Sequence, residues 1–180
     1  MAVAVAPSAA AAPPPAHSSS EDLAPLVRLV AERIVLADKV SAAKFGTGTA
    51  IEDPAREQQV LDDAAARAEA AGIDKDATVA FFRAQIEQSK VVQRGLYDRW
   101  TRQPELAPTR RPDLATEVRP ELDRISAQFI DQLVATSDTR HQSATCFVAL
   151  ARAEAETDLS YGLDSLHAWA VFGATSTVCD

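Results

Sequence analysis

Seven polar residues stand on or beside apolar stripes in this sequence, where a helical protein ordinarily keeps hydrophobic side chains: Arg33, Lys44, Arg56, Glu57, Ser89, Gln93 and Arg119. They comprise four cations and one carboxylate in a chain whose formal charge is −8. Gathered in one place, they would suit a small dianion. Guanidinium forks take carboxylates bidentately, and the neutral donors would serve ether or hydroxyl oxygens. None of the seven is a nucleophile beside a base, so covalent catalysis is not the chemistry they suggest. Each has an ordinary explanation when taken singly. An arginine or lysine on a stripe edge lays its stem on the core and keeps its head in water, and a lone interior Ser or Gln bonds a backbone carbonyl. Seven such residues on three or four different helices favour convergence instead.

The elements that must position them read as helices. In the stretch 79–100, Val79, Phe82, Ile86, Ser89, Gln93, Leu96 and Trp100 alternate by three and four, so on a helix all seven point the same way. Burying the hydroxyl and the amide of that stripe without partners costs about 1–3 kcal/mol each. They are therefore satisfied internally or used on a ligand. Asp74 caps this third helix and Pro104 ends it. A first helix, capped by Ser19 or Ser20, runs to about Phe45, with Leu23, Leu26, Val27, Val30, Ile34, Ala37 and Ser41 inside. Arg33 and Lys44 flank that face, and at their separation they project within about 20° of one another. Asp53-Pro54 opens a second helix that stops at Gly72, with Glu57 in line with Val60, Leu61, Ala64 and Ala68. Asp113 or the Arg119-Pro120 step opens a fourth, packing Leu122, Ile125, Phe129 and Leu133. Two more follow, from Ser143 to Thr157 and from Asp158 to about Ala174, the last carrying Leu163, Leu166, Trp169 and Phe172.

The expected fold is all-α, a single-domain bundle of about six helices over residues 21–180. At 180 residues and 47% hydrophobic composition the chain is long enough to bury a core of its own. No segment alternates with the period of a strand, and glycine is scarce. The acidic balance argues against nucleic acid and against an anionic membrane surface, and no apolar run reaches the length of a membrane span. His17, His141 and His167 show no spacing with Cys146 and Cys179 that would hold a metal. A disulfide between the two cysteines is the favoured reading; two buried free thiols are the other. Residues 1–20, MAVAVAPSAAAAPPPAHSSS, form no intact signal peptide. A trimmed signal remnant and an Ala/Pro-rich tail both fit them.

The order and spacing of these residues resemble the all-helical chorismate mutases. The resemblance is carried by Arg33, eleven residues to Lys44, then IEDPAREQQ with Asp53, Arg56, Glu57 and Gln59, then FFRAQIEQSKVVQ with Ser89 and Gln93. Arg119-Pro120 and the two C-terminal cysteines are similar to the secreted subclass of that family. The resemblance implies a Claisen rearrangement of chorismate to prephenate within one chain, with no cofactor and no covalent intermediate. It further implies catalytic roles for Lys44 and Gln93 at the breaking ether bond. Arg33 and Arg119 would bind the substrate carboxylates, with Arg56 completing the cationic wall and Ser89 assisting a carboxylate, while Glu57 would take the ring hydroxyl and Gln59 would complete substrate binding. It implies export and allows a homodimer. The alternative is a non-catalytic secreted interaction protein of the same fold.

Overall fold

The computed structural model describes residues 22–180. The proposed cap at Ser19 or Ser20, Glu21 and the tail at 1–20 lie outside them. Six α-helices follow in order: α1 (Ala24–Lys44), α2 (Pro54–Ala71), α3 (Lys75–Arg102), α4 (Arg119–Ala135), α5 (Ala144–Tyr161) and α6 (Ser165–Ala174). Among the described residues there is no strand, and no helix is long and apolar enough to cross a membrane.

Helix α1 is the axis of the bundle. It buries residues on most of its circumference, from Leu26, Val27 and Val30 through Ala31 and Ile34 to Leu36 and Ala37, because α3, α4, α5 and α6 all pack against it. Helix α2 is the opposite case, burying only Leu61, Ala64 and Ala68. That narrow stripe lies against α3, with α4 alongside. The boundaries follow local chemistry. Asp53 accepts the Arg56 N–H ahead of Pro54, and Gly72 closes α2 in the left-handed region. Asp74 accepts from Ala77 to start α3. Both signals proposed for the fourth helix are used. Asp113 caps a π-helical turn, Leu114–Val118, which runs directly into α4 at Arg119 and Pro120.

The last two helices depart from the sequence reading. Helix α5 continues through Asp158 to Tyr161, where left-handed Gly162 ends it, and Asp164 caps α6. Trp169 and Phe172 stack on each other but face solvent, 69% and 57% exposed. The buried face of α6 is His167, Ala170, Val171 and Ala174. Small residues are needed there because α6 lies close against α3. A Cβ on Gly95 of α3 would stand 2.7 Å from the Leu166 side chain, and one on Gly173 of α6 would stand 2.5 Å from Gln88. Each helix thus carries a notch for a side chain of the other. The disulfide reading of the cysteines holds: Cys146 at the start of α5 is bonded to Cys179 beyond α6.

Candidate active site

Helices α1 to α4 enclose a cavity of about 130 Å³. Arg33 and Val40 of α1 line it, with Ile51 and Asp53 ahead of α2, Arg56 and Glu57 on α2, Ser89, Lys90 and Gln93 on α3, and Asp123 and Ser126 on α4. One chain therefore supplies every wall. A wider depression of about 600 Å³ runs along α5, where Ala144, Val148, Ala149 and Ala153 share the lining with polar residues such as Asp22, Thr145, Arg152 and Glu156, but none of those polar side chains has a buried, unpartnered atom. Chemistry selects the smaller cavity.

Five of the residues singled out in the sequence meet in it: Arg33, Arg56, Glu57, Ser89 and Gln93. Arg33 is 7% exposed, and its Nε is buried without a hydrogen-bond partner. Burial, and next the positive charge of Arg56, pull its guanidinium down to about 10, with Asp123 opposing them. It still carries its proton at neutral pH. A buried cation left without a partner is costly, and a ligand anion would relieve that cost. Gln93 is 4% exposed, with Oε1 buried and unpartnered. Its Nε2 makes only long contacts to Ser89, 3.3 Å to the carbonyl and 3.4 Å to Oγ. The amide is thus held weakly and has capacity to spare. Arg56 is already engaged, donating to Gln59 Oε1 at 2.8 Å and to Asp123 Oδ1 at 3.2 Å.

Glu57 is fixed from two sides. Its Oε1 accepts the Asp53 N–H at 3.2 Å, which completes a reciprocal cap at the start of α2, and its Oε2 accepts from Lys90 Nζ at 3.0 Å. Lys90 also pairs with Glu87 at 2.7 Å. Burial tends to lower the Lys90 ammonium, but the hydrogen bonds to Glu87 and Glu57 outweigh it and the net shift is upward. Lys90 and Asp123 were missed in the sequence, although Lys90 stands four residues after Ile86 and three before Gln93, which is the helical spacing of one face.

Lys44, Gln59 and Arg119 do not line the cavity. Lys44 donates to the carbonyls of Ala50 at 2.9 Å and Ile51 at 3.0 Å. Ile51 is a wall residue, so the ammonium is tied to the backbone of the cavity wall with a third donor still available. Gln59 is exposed and reaches the cavity only through Arg56. Arg119 is exposed at the first residue of α4, near enough to Asp113 to help lower its carboxyl, after the Thr116 hydrogen bonds that dominate that shift. Of the other arginines in the preceding loop, Arg110 pairs with Glu117 and Arg111 donates to the Phe45 carbonyl beside Gly46.

Residues 24–94 match the family model for chorismate mutase type II. A secreted chorismate mutase of Mycolicibacterium smegmatis is 34% identical over 166 residues, covering 91% of this chain and 91% of the relative. One from Mycobacterium tuberculosis is 30% identical over 168 residues, covering 93% and 83%. The crystal structure of a chorismate mutase from Burkholderia phymatum is similar with a TM-score of 0.84 at 33% identity, spanning 91% of this chain and 99% of that one.

Proposed function

This chain belongs to the chorismate mutase family, an isomerase family, and we propose that the cavity between α1 and α4 is where chorismate is rearranged to prephenate. The observation that carries this is the pairing of a buried, partnerless Arg33 with a buried, underused Gln93 in one cavity. The reaction is pericyclic and needs no acid, base or nucleophile from the protein. Its catalyst must hold a flexible dianion folded, with the bond-forming carbons close, and must stabilise the charge that grows on the ether oxygen.

In this reading Arg33 and Arg56 take the two carboxylates, with Ser89 assisting. Arg56 exchanges Asp123 for substrate, and Arg119 approaches the second carboxylate from the start of α4. Gln93 donates its amide to the ether oxygen, and Lys44 brings its remaining ammonium hydrogen to the same atom. Those contacts strengthen as the carbon–oxygen bond breaks, so they raise the rate beyond simply tightening binding. Glu57 accepts the ring hydroxyl, and Gln59 holds the Arg56 guanidinium in plane. No cofactor enters.

Export is part of the same reading. It is supported by the word secreted in the names of both curated relatives and by the Cys146–Cys179 disulfide, a bond that persists in oxidising compartments. A homodimer is compatible with a site completed by one chain, and sedimentation velocity tests for it. The functional reading is tested by mixing the folded protein with chorismate and following the loss of its ultraviolet absorbance. Turnover that yields prephenate is expected, and a cooperatively melting sample without turnover would overturn the reading.

A further inference from the structure

Lys90 is a charged residue in an interior position, 8% exposed, and buried lysines are rarely found without partners. Its two partners differ in kind. Glu87 lies one turn earlier on the same helix with its side chain half exposed, whereas Glu57 comes from α2 and lines the cavity. The Lys90–Glu57 bond is not needed to bring α2 and α3 together, since Leu61 and Ala64 of one and Phe82 and Ile86 of the other belong to the same apolar core. The bond faces the cavity. It determines the direction in which the Glu57 carboxylate points, because the other carboxylate oxygen is already tied to the Asp53 N–H.

The cavity's charges add a second consequence. Arg33, Arg56 and Lys90 stand against Asp53, Glu57 and Asp123, of which Asp53 is exposed and caps α2. Asp123 sits at the open side with its side chain 66% exposed, whereas that of Glu57 is 26% exposed. Glu57 is the carboxylate from which an incoming dianion would be least screened by water. Without Lys90, that negative charge would face the ligand uncompensated.

We propose that Lys90 is a positioning residue that acts through Glu57, orienting its carboxylate toward the substrate hydroxyl and cancelling its charge against a dianionic substrate. The proposal rests on the reading of the cavity as the chorismate site. Lys90 is not required to touch the reacting atoms.

The test is a double-mutant cycle in the full chain with K90M, E57Q and K90M/E57Q, with K90Q as a second truncation and K90R as the charge-conserving control. Turnover of chorismate is measured alongside calorimetric binding of a bicyclic dianionic mimic of the rearrangement's transition state. K90M and K90Q are expected to raise KM by about tenfold or more, with a smaller fall in kcat, since they leave a cavity carboxylate unpaired. K90R is expected to stay within about threefold of wild type, because it restores the ion pair. In K90M/E57Q the lysine's effect on KM is expected to vanish, because no charge remains to be cancelled. A KM unchanged in K90M and K90Q would overturn the proposal, and so would a rise of equal size whether residue 57 is Glu or Gln. Loss of cooperative melting in both K90M and K90M/E57Q would make Lys90 a structural tie and would overturn it too. Failure of the wild-type protein to turn over chorismate would count against the function instead, and the same cycle is then read from mimic binding alone.

Discussion

Arg33 and His167 are buried to the same degree, 7% and 8% exposed, and their surroundings are opposite. Arg33 Nε has no hydrogen-bond partner, and the neighbouring charges that act on the guanidinium are one arginine against and one carboxylate in favour. His167 on α6 is fully engaged: Nδ1 stands 2.6 Å from Asp164 and Nε2 stands 2.9 Å from Asp38 of α1. Asp164 is held in turn by Arg99 of α3 at 3.0 Å. Two carboxylates on two ring nitrogens require a hydrogen on each, so His167 is an imidazolium. Its bond to Asp38 raises its pKa most, burial opposes, and Asp164 adds to the rise. Asp164 is held far below the usual carboxylate range. Its own burial works the other way, but the hydrogen bonds from His167 and then Arg99 outweigh it. The contrast separates two uses of buried charge. Where every donor is matched, the charge ties helices together; where donors are left over, it waits for a ligand.

The largest effect expected from that contrast is at Arg33. Arg33→Ala should lower kcat/KM by about two to three orders of magnitude, or about 3–4 kcal/mol of transition-state stabilisation. The thermal melt should hardly move, since no partner is lost and an unpaired buried guanidinium carries a desolvation cost. Loss of activity only in proportion to lost folding would erase the distinction between the two regions. The same pair of assays applied to Lys44→Ala tests whether its ammonium does more than bind the carbonyls of Ala50 and Ile51.

Next in size is the Cys146–Cys179 bond, which closes a separation of 33 residues away from the cavity. Reducing it should remove about 4 kcal/mol by the chain-entropy argument and lower Tm by roughly 10 °C. Turnover at room temperature should persist, because neither cysteine lines the cavity. Scanning calorimetry with and without reductant checks the first part, and the chorismate assay checks the second.

A smaller effect belongs to His167. Pairing raises its folded-state pKa above the ordinary 6.5, so its contribution is complete below that value and fades as pH climbs through the folded one. His167→Gln should therefore melt roughly 3–6 °C below wild type at pH 5, with the gap closing toward alkaline pH and catalysis at room temperature unaltered. A gap that widened with pH would mean the histidine is held neutral. The smallest effect is the pH dependence of turnover in the unaltered protein, which Gln93 keeps flat. A carboxamide donates at any ordinary pH, so turnover should vary little between about pH 5 and pH 8 on its account. Gln93→Glu should install a loss of kcat as pH rises through that window, since a glutamate must be protonated to donate. A profile indifferent to the substitution would take Gln93 out of the reaction.

The fold was legible wherever punctuation and periodicity agreed. Asp53-Pro54, Gly72, Asp74 and Pro104 set the ends of α2 and α3 where expected, because caps and proline act within one turn and need no tertiary information. The α5–α6 boundary was misplaced although Gly162 and Asp164 stood there to mark it. Trp169 and Phe172 stand on the expected helical spacing, but α6 meets α3 where Leu166 fills the notch at Gly95, Gln88 fills the one at Gly173, and Gln85 donates to the Ala174 carbonyl. Close helix approach is a property of two surfaces, and one sequence stripe does not reveal it. At the cavity, Arg33, Arg56, Glu57, Ser89 and Gln93 could be found because each interrupts or borders an apolar stripe. Lys90 escaped notice behind Ser89, its neighbour. Asp123 belongs to the face of α4 that the apolar spacing passes over, and only its meeting with Arg56 gives it meaning. Those two residues matter through partners 33 and 67 positions away, a separation at which local pattern carries no signal.

The most direct measurement is a crystal structure with a dianionic bicyclic mimic of the rearrangement's transition state. The ligand is expected between α1 and α4, with Arg33 donating to one carboxylate and the Gln93 amide and Lys44 ammonium both within hydrogen-bond reach of the ether oxygen. A ligand seated elsewhere, or one seated there while Arg33 Nε and Gln93 Oε1 remain unpartnered and Lys44 stays on its carbonyls alone, would contradict that expectation.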